Sequence, residues 1–241
     1  SEGCVRFRVT GDDRSALRAQ TDGTASIVPV RMGTAGLGLL VNNHREAVRI
    51  LSDAETYGSA GELMADVFDD SANPPTDAMR GRVFAVNQTD GDEHRLVRRA
   101  LRKVIDCRVS DVSDQLLQDV QRSIEGALAH GQFDAVAAIG VPIADSAMSR
   151  LLGLDHNLVS SLRTAVYQGY PVHELDATLV DWVRDRRTHP ADDLVSDLIA
   201  QLPSLGDQQV AANTRLLALS GVEVLAALVT NGILCLAQDP N

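Results

Sequence analysis

The sequence predicts a mainly α-helical protein with a small β-sheet near its amino terminus, organised around one long central helix. Three observations point there. Apolar residues fill 44% of the 241 positions but aromatic residues only 3%, so Leu, Val and Ala must build the core, which favours helices over a sandwich. Strand-like alternation is confined to the stretch before Asn42. Finally, Gln208 to Ala237 runs without a proline, with Pro203, Gly206 and Asp207 before it and Pro240 after it; one helix of roughly 45 Å fits that span. Positions 1–241 read as a single domain of a size that can bury a large core.

In chain order, Cys4 to Thr10 alternates Val5, Phe7 and Val9 with polar residues and predicts a half-buried strand. Ile27–Met32 and Gly36–Val41 predict a hairpin turning at Gly33-Thr34-Ala35; the spacing of Gly33, Gly36 and Gly38 does not match a dinucleotide fingerprint. Asn42 or Asn43 caps a helix with Ala47, Val48, Ile50 and Leu51 facing inward. From Ala54 to Asn87 the period is lost, and a long irregular connection is expected, with a short helix at Glu62–Phe68.

Thr89-Asp90 opens the next helix, which runs to Ile105 with Val97, Leu101, Val104 and Ile105 buried. Its other face gathers Arg95, Arg98, Arg99, Arg102 and Lys103, a basic stripe on an acidic chain. Most such stripes are solvated helix faces; a docking surface, or a clamp for carboxylates, is the sharper expectation. A second helix is expected from Val112 to His130, ended by Gly131, then one over Asp134–Leu152, broken near Pro142 and ended by Gly153. Leu158–Tyr167 and Asp176–Arg187 flank a loop at Gln168–Glu174, and Asp192–Gln201 leads into the central helix.

Apolar residues lie all round the central helix, the pattern of a helix buried on every side. Ser220-Gly221-Val222-Glu223-Val224 interrupts it with a costly glycine and a lone acid. Packing contacts and solvated edges account for most residues of these kinds; the alternative is a point where the helix opens on a cavity. There, Glu223 would have a raised pKa and serve as a general acid or base. Leu216–Ala237 is also long enough to span a membrane, but Glu223 near its centre would cost about 3 kcal/mol, and neither a basic cluster nor an aromatic belt flanks it.

A net charge of −11 argues against nucleic acid or an anionic membrane as partner. Cys4, Cys107 and Cys235 are too few for a disulfide framework, and a reducing cytoplasm is expected, with no secretory leader at the start of the chain. No G-x-S-x-G, H-E-x-x-H or cysteine pair suggests a hydrolase or zinc site.

Several segments, in this order, resemble the bacterial cytochrome P-450 family. IVPVRM, GLGLLV and NHREAVRILSDAETYGS resemble its first sheet and following helix, and DGDEHRLVRRAL its D-P-P-E-H-x-x-x-R-R helix. FDAVAAIGVPIADSAMSRLLGL, DDLVSDLI and LLALSGVEVLAALVTNGILCLAQDPN are similar to later family stretches, through the central helix. The resemblance implies a truncated cytochrome P-450-like fold, the amino-terminal portion of the family's length. It assigns His94 and Arg98 to a haem propionate, and Ser220, Gly221, Glu223 and Val224 to the ligand-facing turn. It also implies an alcohol beside the acid, where this chain has Val224, and a cysteine loop for the iron, which is missing here. The expected protein is therefore haem-free, with no cofactor and no metal, and acts as a helper subunit in bacterial natural-product biosynthesis, for example for a glycosyltransferase. A protein partner or a second copy would cover the central helix, and a small apolar ligand is a further candidate. Two alternatives stand beside it: a cofactor-independent cyclase or isomerase, and an amino-terminal fragment of a haem-thiolate monooxygenase.

Overall fold

The structure, a computed structural model, describes residues 5–7, 27–32, 37–58, 85–129, 131–168 and 173–238. The expected helix at Glu62–Phe68, Cys4 and the terminal Pro240 lie outside them. The chain divides into two compact units, 1–95 and 96–241.

In the first unit β1 (Val5–Phe7), β2 (Ile27–Met32) and β3 (Leu37–Val41) form a sheet in that order. β1 pairs parallel with β2; β2 and β3 form the expected antiparallel hairpin, with Ile27 opposite Val41 and Arg31 opposite Leu37. α1 (His44–Ser52) follows, capped by Asn43, whose Oδ1 accepts from the backbone N–H groups of Arg45 and Glu46 at 2.9 and 3.2 Å. Its expected inward face is only partly so: Ala47 and Ile50 are half-buried, but Val48 and Leu51 are exposed.

α2 (Gly91–Ala129) is one helix where two were expected, and the unit boundary falls within it. No glycine or proline stands between Asp106 and Asp111, so nothing breaks the ladder where the apolar period lapses. Val97, Ala100, Leu101 and Val104 are buried as the pattern requires. Gly131 ends it at a φ of +72°, and its N–H donates to Leu128 O at 3.2 Å.

A π turn at Val136–Gly140 then runs directly into α3 (Val141–Leu152). Pro142 has no N–H to give back to the preceding turn, and the ladder slips there by one residue instead of breaking. α4 (His156–Gln168), α5 (His173–Thr188), α6 (Leu194–Gln201) and α7 (Asp207–Gln238) complete the second unit. Asp193 caps α6, accepting from Ser196 N–H at 2.7 Å, and Arg187 Nε donates to Asp207 at the start of α7 at 2.6 Å.

The core lies where α3, α4, α5 and α6 pack on α7. Leu152, Leu162, Leu179, Leu194, Leu198 and Val210 are fully buried there, each contributing about 2 kcal/mol by leaving water. Arg215, in the first half of α7, grips Asp176 of α5 at 2.5 and 2.6 Å.

Candidate functional site

The central helix has two unlike halves, and this corrects the expectation of burial on all sides. Val210 to Thr214, Ala218, Val222 and Ala226 are buried, whereas Val224 is 64%, Leu228 66%, Leu234 54% and Leu236 72% exposed. At 100° per residue, Ser220, Glu223, Val224, Ala227, Leu228 and Leu234 share one flank, and each of these is exposed. The opposite side, Val229 and Ile233, packs on a cluster of Ala127, Ile139 and Ile143.

Ser220 to Val224 is continuous helix, with no break in the turn where one was expected. Glu223 is exposed, so the enclosed apolar setting expected for a general acid or base is not there. Gly221 is a packing position: a Cβ there would overlap Met148 Sδ and lie 3.1 Å from its Cγ and Cε. Ser220, Glu223 and Val224 thus come together on the bare flank, while Gly221 faces α3. By length and composition α7 could cross a membrane, but its first half is built into the helical core through Arg215 and the buried Asn213 and Thr214.

His94 is half-buried, and its Nδ1 lies 2.8 Å from Val86 O. A carbonyl only accepts, so Nδ1 carries the proton; in the neutral ring Nε2 is then an acceptor, and only the imidazolium could donate to a carboxylate. Arg98 and Arg99 are exposed and have no hydrogen-bond or ion-pair partner among the described residues. The rest of the stripe is partly occupied. Arg95 pairs with Asp92, Arg102 lies 3.8 Å from Asp106, and Lys103 donates to Gln201 at 2.7 Å. Exposed pairs of this kind contribute little, so the stripe remains a strongly cationic surface.

Other polar clusters were not legible in the sequence. Asp119, buried on α2, accepts from Arg150 Nε at 2.7 Å, from Ser146 and from Arg122. The Arg150 hydrogen bond outweighs desolvation and holds this carboxyl at about 2. Arg163 forks onto the buried Asp145 at 3.2 and 3.1 Å. Both clusters join residues far apart in sequence, which no local pattern announces. Beside the first of them a cavity of about 460 Å³ opens between α2 and the π turn, lined by Arg122, Gly126, Ala127, Phe133, Ala138 and Pro142.

No family model matches the chain. A Mycobacterium tuberculosis protein that bears the name cytochrome P450 141 is 21% identical over 238 residues, covering 91% of this chain and 57% of its own length. Among solved structures, myxobacterial CYP267B1 in complex with myristic acid superposes with a TM-score of 0.78 at 16% identity, covering 95% of this chain and 61% of its own. OxyC, a cytochrome P450 implicated in an oxidative C–C coupling during vancomycin biosynthesis, gives 0.72 at 17% identity, over 98% and 62%. This chain has the cytochrome P450 fold. It spans about 60% of the length of these P450 proteins, as the motifs ending in the central helix anticipated.

Haem is the group that the P450 fold implies. For a carboxylate of such a group the described residues offer Arg98, unpartnered, and His94 once protonated. For the iron they do not fit: the described thiols, Cys107 and Cys235, are both exposed on helix surfaces, and no group of three His, Cys, Asp or Glu side chains converges among the described residues. Neither thiol is held in the enclosed, hydrogen-bonded setting that axial thiolate ligation requires.

Proposed function

We propose that this chain is a haem-free, cytochrome P450-like binding subunit of bacterial natural-product biosynthesis, with the bare flank of α7 as its contact surface. The observation that carries it is the run Val224, Leu228 and Leu234, each more than half exposed on one flank of the helix. Contiguous apolar surface of this kind marks an interaction site. A partner polypeptide, for example a glycosyltransferase, or a second copy of this chain, covers it, and Ser220 and Val224 belong to that contact. The basic stripe, Arg95, Arg99, Arg102 and Lys103, is a second docking surface for an acidic partner, and His94 with Arg98 holds a carboxylate-bearing ligand. The exposure of Glu223 favours a role at the contact over general acid–base catalysis in a cyclase or isomerase. The cytoplasm is the expected compartment.

The same bare flank also suits a second reading, in which this is the amino-terminal portion of a haem-thiolate monooxygenase and further chain of the same protein covers α7. The visible spectrum of the purified protein, with a reduced carbon monoxide difference spectrum, separates the two. The expected result is no haem band; a band characteristic of thiolate-bound haem overturns the haem-free subunit. Sedimentation velocity tests the contact itself. Wild type should self-associate and Leu228→Gln should do so less, and a dispersed wild-type monomer counts against an exposed apolar contact.

A further inference from the structure

Gly126 is an exposed glycine that no packing contact requires. It lies inside the 39-residue helix α2, where glycine is among the least favourable choices, yet a Cβ built on it meets nothing within 4 Å. Gly221 and Gly140 differ, because Met148 and Thr230 occupy the space a side chain would need. The space beside Gly126 is the cavity of about 460 Å³ between α2 and the π turn, within the size range of small-molecule pockets. It is lined by the apolar Ala127, Phe133, Ala138 and Pro142 and by the polar Ser123, Gln132 and Arg122, with no carboxylate among the described lining residues. One carboxylate, Asp119, is shared by two guanidiniums, Arg122 and Arg150, and among the described residues Arg122 reaches Asp119 through Nη2 and Gln118 O through Nε, with Nη1 in neither contact.

We propose that this cavity is a binding site for a small amphipathic carboxylate, whose apolar tail lies against Phe133 and Ala127 in the space left by Gly126 and whose head group pairs with Arg122. The cation supplies a charge-assisted hydrogen bond, and the glycine supplies room at the cost of helix stability. The site is independent of the α7 contact surface, although it touches it indirectly. Ala127 belongs to the cluster on which Val229 and Ile233 rest, so occupancy should also slow hydrogen exchange in the second half of α7.

The test uses octanoate as probe, with octan-1-ol as its uncharged counterpart, by isothermal titration on the full chain. Octanoate is expected to bind saturably at one site and at least about tenfold more tightly than the alcohol. Arg122→Gln should remove that preference. Gly126→Leu starts from a Cβ that meets nothing within 4 Å, extends into the cavity and raises helix propensity, so it should fold and abolish binding; a melting temperature at or above wild type confirms that it folds. Leu228→Gln, on the bare flank of α7, should leave octanoate affinity unchanged. Absence of saturable binding, equal affinity for acid and alcohol, or undiminished binding to Gly126→Leu overturns the site. Loss of binding in Leu228→Gln alone would move it to α7.

Discussion

Gly221→Ala isolates the contact on which the placement of the central helix depends. In a solvent-exposed helix the change should stabilise by about 1 kcal/mol, because alanine is the better helix former. At Gly221 the new methyl overlaps Met148 Sδ and sits 3.1 Å from Cγ and Cε, and Met148 is itself only 8% exposed. Its side chain therefore has little room to retreat. Overpacking a filled core costs about 1–3 kcal/mol, which outweighs the propensity gain and leaves a net loss of about 1 kcal/mol. Met148→Ala removes Cγ, Sδ and Cε; on that background Gly221→Ala should show the propensity gain alone, so the two changes couple by about 2 kcal/mol. Urea unfolding of the four proteins, followed by helical circular dichroism, measures the cycle. If Gly221→Ala stabilises the wild type, the close approach of α3 and α7 is not there and the argument fails.

Two further outcomes follow from buried polar groups. Asp119 titrates near 2 rather than at the ordinary 3.8, so its stabilisation, at most about 2 kcal/mol, is complete above the ordinary value and is lost as pH falls from there towards the lower one. Screening at the exposed Arg122 reduces that figure. Asp119→Asn should flatten this part of the acid stability curve, and an unchanged slope would place the carboxyl outside the network. Ser149 Oγ is buried without a hydrogen-bond partner among the described residues; Ser149→Ala should therefore be neutral or stabilising by up to about 1 kcal/mol in urea midpoint measurements. A loss of that size instead would reveal a bond to the hydroxyl.

Local signals carried most of the elements. The Asn43 cap, the hairpin from Ile27 to Val41, the glycine stops at Gly131 and Gly153 and the uninterrupted apolar run of α7 were all legible, because each depends on neighbours within a few positions. The break expected between Ile105 and Val112 was misplaced because a lapse in apolar period does not stop a helix that lacks glycine and proline. Of the candidate residues, the basic stripe was readable as a helical face, and its exposure follows from the burial of Val97, Leu101 and Val104 opposite.

What the order of residues determined alone is the mainly helical fold, its small amino-terminal sheet and the length of α7: backbone hydrogen bonding and burial periodicity are properties of short windows. What only the tertiary structure decided is which side of α7 is covered, that Gly221 answers Met148 and not a cavity, that Glu223 is exposed, and that Asp119 meets Arg150 across 31 positions. These depend on where distant segments come to rest. Composition says that apolar surface must be buried somewhere, but a helix apolar on every side gives no indication of which of its sides the rest of the chain reaches.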